Sequence, residues 1–431
     1  MNTTPWTRQE LSGGLLLSSH DHRSPGLLAA RLWIAGGSSA DPGDQRGLHQ
    51  LLAGLLTRGC GDLDADALAD LVEGRGAALR AEAGEDSLVI SLKCASEDAT
   101  VLLPLLVEMA SRPTLEPAQI AIERQLNLQA LQRQREDPFQ LCHEALRHQL
   151  YGQGPYGHDP LGIAAELEPL QRQDLARQLV QLGQRGAALV IAGRLSAPAR
   201  DALETSISRN PWRVEPPGQP LDQQTAVSGS PLSLIEEDTE QVVLMLGCTT
   251  VPLADADNLP LRLLQAHLGL GMSSRLFITL REERGLAYDV GVHMPARRGA
   301  TPFIWHLSTN AERAAEACTA LLDEWQRMLE QPLSSDELTL AKAKYLGQEA
   351  MGRQTCGQVA DREALLLGFG LGSTFIADCL TRAASLTGDT LQKAAQRSLA
   401  APLLSLCGPN DGLQAAAQAW RRHPLNRDRS V

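Results

Sequence analysis

An arginine and a tyrosine seven positions apart, Arg281 and Tyr288, are the residues of this chain best suited to act on a bound ligand. A guanidinium offers a planar fork of donors that fits a carbonyl or carboxylate. A phenol can donate a hydrogen bond to an oxygen that gains negative charge when a carbonyl carbon is attacked. Flanking a helix end and a turn, the two could converge on a ligand; the plain alternative is a surface arginine and a half-buried tyrosine. They fall in the stretch 268–290, LGLGMSSRLFITLREERGLAYDV. It opens on a turn with Gly269 and Gly271, continues through Met272, Ser273 and Ser274, and is expected to enter a helix carrying Leu276, Phe277 and Leu280. Gly285 should end that helix and Tyr288 should begin a strand. Two glycines before a helix either cradle an anion or only permit a tight turn. Glu282, Glu283 and Arg284 read as solvated or ion-paired residues of the helix face.

The elements that must position this stretch are legible from periodicity. Leu48, Leu51, Leu52, Leu55 and Leu56 recur at helical spacing and predict a helix with one buried face, closed at Gly59. Residues 27–37, 87–93 and 187–193 read as strands, and 64–73, 100–110, 117–135 and 140–150 as helices. The stretch 210–231, with five prolines and few large apolar residues, reads as a linker. A similar order follows it. Strands are expected at 241–246, 303–308 and 403–407, and helices at 259–268, 311–329, 335–351, 361–369 and 390–398.

Residues repeat along with the pattern. Leu71, Glu73, Arg75, Gly76 and Ala78 coincide with Leu280, Glu282, Arg284, Gly285 and Ala287, and 115–120 echoes 333–338 at the start of a long helix. The chain therefore reads as two copies of one α+β domain, 1–209 and 232–431. Each is expected to be a mainly antiparallel sheet with helices on one face.

Composition narrows the function classes. A chain of 431 residues is too long for one core. A net charge of −12 without a basic block argues against a nucleic-acid partner. No stretch is apolar for long enough to span a membrane, and the first residues lack the pattern of a secretory signal, so a cytoplasmic location is expected. The eight cysteines are scattered with no C-x-x-C spacing, which favours small buried residues in a reducing compartment.

Pattern and motifs together resemble the M16 family of zinc metallopeptidases, which includes the insulinase-like and pitrilysin-like peptidases and the mitochondrial processing peptidase. The resemblance covers nearly the whole chain, as one half-clamshell of two homologous domains. Residues 269–288 follow the family string GxGMSSRLF…LREERGLAY closely. It implies that Tyr288 serves the oxyanion, that Arg281 holds a substrate carbonyl or carboxylate, and that Gly269, Gly271, Met272 and Ser273 handle the substrate peptide.

The chain departs from the family at one place. After a GL dipeptide, here Gly47-Leu48, the family carries H-x-x-E-H, whereas this chain has Gln50, Ala53 and Gly54 at those positions. At i, i+3 and i+4 the three share one helix face, as zinc ligands and a base must. Glutamine is a poor zinc ligand, and alanine and glycine offer no donor. The distal glutamate ligand falls at Ala130, with Gln129 as the alternative. His49 is one residue out of register and is expected to be a solvated or helix-face histidine.

The resemblance thus implies no metal or other cofactor in this chain. It implies a heterodimer in which a partner bearing H-x-x-E-H supplies zinc, metal-bound water and base, and this subunit supplies Arg281 and Tyr288 in trans for peptide cleavage. The alternative is a catalytically inactive M16-like scaffold, comparable to core subunits of respiratory complexes.

Overall fold

A computed structural model describes residues 5–21, 26–209, 212–218 and 230–427. The first half opens with strands β1 (Thr7–Glu10), β2 (Leu16–His20) and β3 (Leu27–Ala35), then helices α1 (Leu48–Leu56) and α2 (Ala65–Glu73). Strands β4 (Ala78–Ala83) and β5 (Ser87–Ala95) follow, then α3 (Ala99–Ser111), α4 (Pro117–Gln134), α5 (Pro138–Tyr151), α6 (Ala164–Leu167) and α7 (Arg172–Gln181). Strand β6 (Ala187–Gly193) and α8 (Ala197–Arg209) close it.

The second half runs β7 (Leu232–Glu236), β8 (Gln241–Thr250), α9 (Asn258–Gly269), a π-helical turn (Phe277–Glu283), β9 (Asp289–His293) and β10 (Thr301–Asn310). Helices α10 (Ala314–Glu330), α11 (Ser335–Met351), α12 (Cys356–Gly368), α13 (Phe375–Ser385) and α14 (Gly388–Ser398) lead to β11 (Leu403–Gly408), α15 (Asn410–Arg422) and α16 (Pro424–Arg427).

The two sheets repeat one topology. The first is ordered β1-β2-β6-β3-β5-β4 and the second β7-β11-β8-β10-β9. Setting aside the added edge strand β1, each strand of the first sheet becomes its counterpart in the second when five is added to its number. The mixed pairing repeats too. Only β2 with β6 and β7 with β11 run parallel, and the remaining neighbours are antiparallel. The sequence echoes fall at matching places: Gly76 and Gly285 both adopt the left-handed conformation, at φ +60 and +56, and 115–120 and 333–338 both lead into long helices. The fold is thus two-domain α+β, with mainly antiparallel sheets packed with helices.

The chain sorts into two compact units that do not simply follow sequence order. One comprises Met1–Leu131, His158–Pro220 and Ala350–Phe375; the other Gln132–Gly157, Leu221–Glu349 and Ile376–Val431. Helix α5 therefore belongs with the second sheet and α12 with the first. In the first unit, Ala30, Leu32 and Ile34 of β3 point into a core with α1, α3 and α8. The alternate residues Ala29, Trp33 and Ala35, with Ala188, Val190 and Ala192 of β6, pack on Cys356, Ala360, Ala364 and Leu367 of α12.

Helices thus cover both faces of this sheet rather than one. That explains why β6 is an uninterrupted apolar run instead of an alternating one. Arg31 pairs with Asp361, and Arg8 and Ser18 bond Glu363, so α12 is held by charge as well as by apolar contact. In the second unit, Cys142, Leu146 and Leu150 of α5 pack on Val243, Met245, Ile304 and Cys407. Phe303 and Trp305, on the opposite side of β10, meet Trp325 of α10.

Much of the expected linker, residues 210–211 and 219–229, lies outside the described residues. Its described part is anchored: Trp212 and Val214 are buried in the first core, and the Trp212 indole donates to the Leu182 carbonyl at 3.1 Å. All eight cysteines are buried free thiols. No described helix is long and apolar enough to cross a membrane.

Candidate functional site

Helix α1 starts where Asp41 allows it to. The buried Asp41 carboxylate accepts the N–H groups of Gly47 and His49 at 2.7 and 3.0 Å, and so caps the first turn. It also contacts His49 Nδ1 at 2.6 Å, and His158 Nε2 stands 3.6 Å away. Burial acts to raise the Asp41 pKa, but hydrogen bonds from His158 and His49 outweigh it and hold the carboxyl below its usual range. His49 is therefore not a solvated residue. It is buried and bonded at both ring nitrogens, with Gln178 at 2.9 Å from Nε2, and it serves the cap. The loop before α6 is structural as well: Tyr156 is buried, and its hydroxyl accepts the Gly299 N–H at 2.9 Å.

The helix presents Gln50 half-exposed, Ala53 buried and Gly54 half-buried. Across from Gly54 lies α4, whose inner face is polar, with Glu123 and Asn127 both buried. The Glu123 carboxylate occupies the space that a side chain at Gly54 would need, its Cδ only 3.0 Å from the Cβ position. Arg58, one turn beyond Gly54, donates Nε to Glu123 Oε1 at 2.6 Å. Asn127 Nδ2 is buried without a partner. Further along α4, Ala130 is half-buried and Gln129 exposed.

Zinc is the ion the family resemblance implies at this helix, and the residues present do not fit it. One amide and two side chains without donors stand at the ligand positions, and the nearby carboxylate is committed to a guanidinium. Sequence reasoning missed Arg58 and Glu123, because their 65-residue separation carries no local signal.

In the second half, the π-helical turn sets the spacing of Arg281 and Tyr288. Gly285 takes the left-handed conformation that ends the turn. The Leu280 carbonyl then accepts N–H bonds from both Leu286 and Ala287, at 2.8 and 3.3 Å. Arg281 and Tyr288 are the residues next after Leu280 and Ala287, so the two side chains depart from backbone positions that this bond holds together. The Tyr288 N–H bonds the Ser308 carbonyl of β10 at 2.8 Å. Arg313 clamps the end of the turn, donating to the Gly285 and Arg284 carbonyls at 2.8 and 3.2 Å.

Both side chains face outward: Tyr288 is 75% exposed, and Arg281 is exposed with its guanidinium over the Phe277 ring at 4.8 Å. The preceding turn divides by role. A Cβ on Gly269 would lie 2.7 Å from Val292 of β9, so close packing requires glycine there, and Gly271 needs its φ of +74. Met272 is 78% exposed and Ser273 is exposed, whereas Ser274 and Arg275 are buried. Arg284 pairs with Glu316 at 3.6 Å on the outer surface.

Comparison with known proteins places these features in context. Residues 17–162 match the family described as Insulinase (Peptidase family M16), and residues 183–345 match the Peptidase M16 inactive domain. An uncharacterized zinc protease of Streptomyces coelicolor is 23% identical over 95% of this chain and 91% of its own length. A non-peptidase homolog, YmxG, of Helicobacter pylori is 22% identical over 75% of each chain. Among solved structures, the peptidase M16 inactive domain from Pseudomonas fluorescens superposes with a TM-score of 0.86 at 23% identity, covering 95% of this chain and 99% of that one. A chain of Complex III2 from Candida albicans gives 0.78 at 15% identity, covering 95% and 99%.

Proposed function

The chain belongs to the M16, or insulinase, peptidase family, both of its halves matching family descriptions, and we propose that it is the non-metal-binding subunit of a heterodimeric peptidase. In this reading it contributes Arg281 and Tyr288 to a site whose zinc and general base sit on a partner bearing H-x-x-E-H. A peptide would lie along Gly269, Gly271, Met272 and Ser273. The observation that carries the reading is a contrast between the halves. At the metal helix, Gln50, Ala53 and Gly54 face a glutamate already paired to Arg58. In the second half, Arg281 and Tyr288 leave one hydrogen-bonded turn as exposed side chains.

The chain's own residues would then bind and polarise. Arg281 would orient a substrate carbonyl or carboxylate, and the Tyr288 hydroxyl would donate to the oxygen on which charge develops. The coarser statement, an M16-like chain that is catalytically inactive by itself, has the support of the inactive-domain match and of the non-peptidase homolog. That homolog also favours the second reading, a scaffold that binds without taking part in cleavage.

Reconstitution with an H-x-x-E-H partner separates the two readings. Tyr288→Phe is expected to lower kcat by about 100-fold or more with little change in KM, as loss of an oxyanion donor does. Arg281→Ala is expected to raise KM. Full turnover with both substitutions present would establish the scaffold reading instead.

A further inference from the structure

Three basic side chains of the second unit gather around α9, the turn after it, and α11, and each keeps a buried nitrogen without a hydrogen-bond partner. His267 is 4% exposed, and neither ring nitrogen is bonded. Arg275 is 8% exposed; its Nε donates to Glu324 at 2.8 Å, while Nη2 bonds nothing. Lys344 Nζ is enclosed and unpaired. Folded proteins leave few buried donors unmet, because a donor stripped of water and given no partner destabilises the fold.

Glu337 approaches two of them, and it falls short. Its Oε1 lies 3.6 Å from His267 Nε2 and 3.9 Å from Arg275 Nη1. The same carboxylate caps its own helix, where Oε2 accepts the Ser334 N–H at 2.9 Å, and this bond holds it back. Charge points the same way. Arg275, Lys344 and Arg327 act on His267 with only Glu337 opposing them, and Glu324 is shared between Arg275 and Arg327. One positive charge remains in excess over the two carboxylates.

We propose that His267, Arg275 and Lys344 form a binding site for a small tetrahedral oxyanion of the phosphate class, free or as a monoester. Donors arriving from a helix end, a turn and a second helix suit an acceptor with oxygens on several sides. Burial, reinforced by the neighbouring cations, pushes His267 down to about 4, so at pH 7 it is neutral and donates from one nitrogen. Arg275 lies six residues before Arg281 in the same stretch. A bound anion would therefore tie that stretch to α9 and α11. The inference does not depend on the proposed peptidase role.

The test is calorimetric titration of the full chain with inorganic phosphate at pH 7, alongside sodium chloride of equal ionic strength and sodium acetate as the carboxylate arm. Thermal melts follow under the same conditions. Saturable binding of one phosphate per chain with a raised Tm, absent with chloride and weaker with acetate, is the expected result. Lys344→Met removes an unpaired buried ammonium, so the fold should persist while phosphate affinity falls about tenfold or more; His267→Asn should weaken it similarly. A phosphate response no different from chloride overturns the proposal. So does a response unchanged in both variants, and acetate binding as tight as phosphate overturns the assigned ligand class.

Discussion

At Gly54 two residue-scale effects oppose each other. Alanine is the better helix former by about 1 kcal/mol, yet its methyl would press on the Glu123 carboxylate that Arg58 holds in place. Gly54→Ala is therefore expected to leave stability nearly unchanged in the native background. In a Glu123→Ala background the same substitution should stabilise by about 1 kcal/mol. Urea unfolding of the four-member cycle measures the difference, and a coupling near zero would mean that Glu123 yields freely. The letters Gln50, Ala53 and Gly54 were enough to read the missing ligand set. They could not tell what had filled the space, since Arg58, just past α1, and Glu123, on α4, are ordinary polar residues until α1 and α4 are packed together.

At the scale of elements, some helices were legible: leucine spacing placed α1, and α11 fills the expected 335–351. The short strands β1 and β7 at sheet edges, and β2 beside β1, were not, because a few mixed residues carry no alternation. The start of α12, marked by a capping box between Thr355 and Gln358, was missed because the first members of its apolar stripe, Cys356 and Ala360, are small.

Helix α5 carries a pH dependence of its own. His143 faces His293 of β9 at 6.1 Å between ring centroids, and the Arg147, Arg297 and His306 charges act on it. Burial first, then these cations, push its pKa down to about 3. Burial also lowers His306, against the opposing pull of Asp289. An unfolded histidine titrates near 6.5. The folded state thus binds fewer protons, and stability is lost as pH falls from about 6.5 toward 3, at up to about 1.4 kcal/mol per unit for His143 alone. Hydrogen-exchange protection factors across 138–151, corrected for the intrinsic pH dependence of exchange, should fall between pH 7 and pH 5, and His143→Leu should flatten that change. Equal protection at both pH values in the native chain would contradict the argument.

The internal repeat operates at the scale of the whole molecule, and it makes a cut between the halves informative. Sequence order suggests two domains, 1–209 and 232–431, yet the first compact unit includes 350–375 and the second includes 132–157. No residue of α12 marks it as belonging to the first sheet. Its apolar stripe of Cys356, Ala360, Ala364 and Leu367 would fit any sheet of small residues. The sheet shows the need more clearly. Ala29, Trp33, Ala35, Ala188, Val190 and Ala192 form an apolar face that α12 covers, and Gly368 leaves the space its neighbour Trp33 fills. A fragment ending at residue 220 would expose that face along with the underside of α5. Exposed apolar area of this extent drives association. Expressed alone, 1–220 should aggregate or bind a hydrophobic dye and lack a cooperative melt, and 221–431, deprived of α5, should do likewise. Expressed together, they should recover a soluble complex with one cooperative transition in near-UV circular dichroism. If 1–220 alone proves monomeric and unfolds cooperatively, the exchanged helices are accessories, and each half is a domain in the simple sense that its sequence suggests.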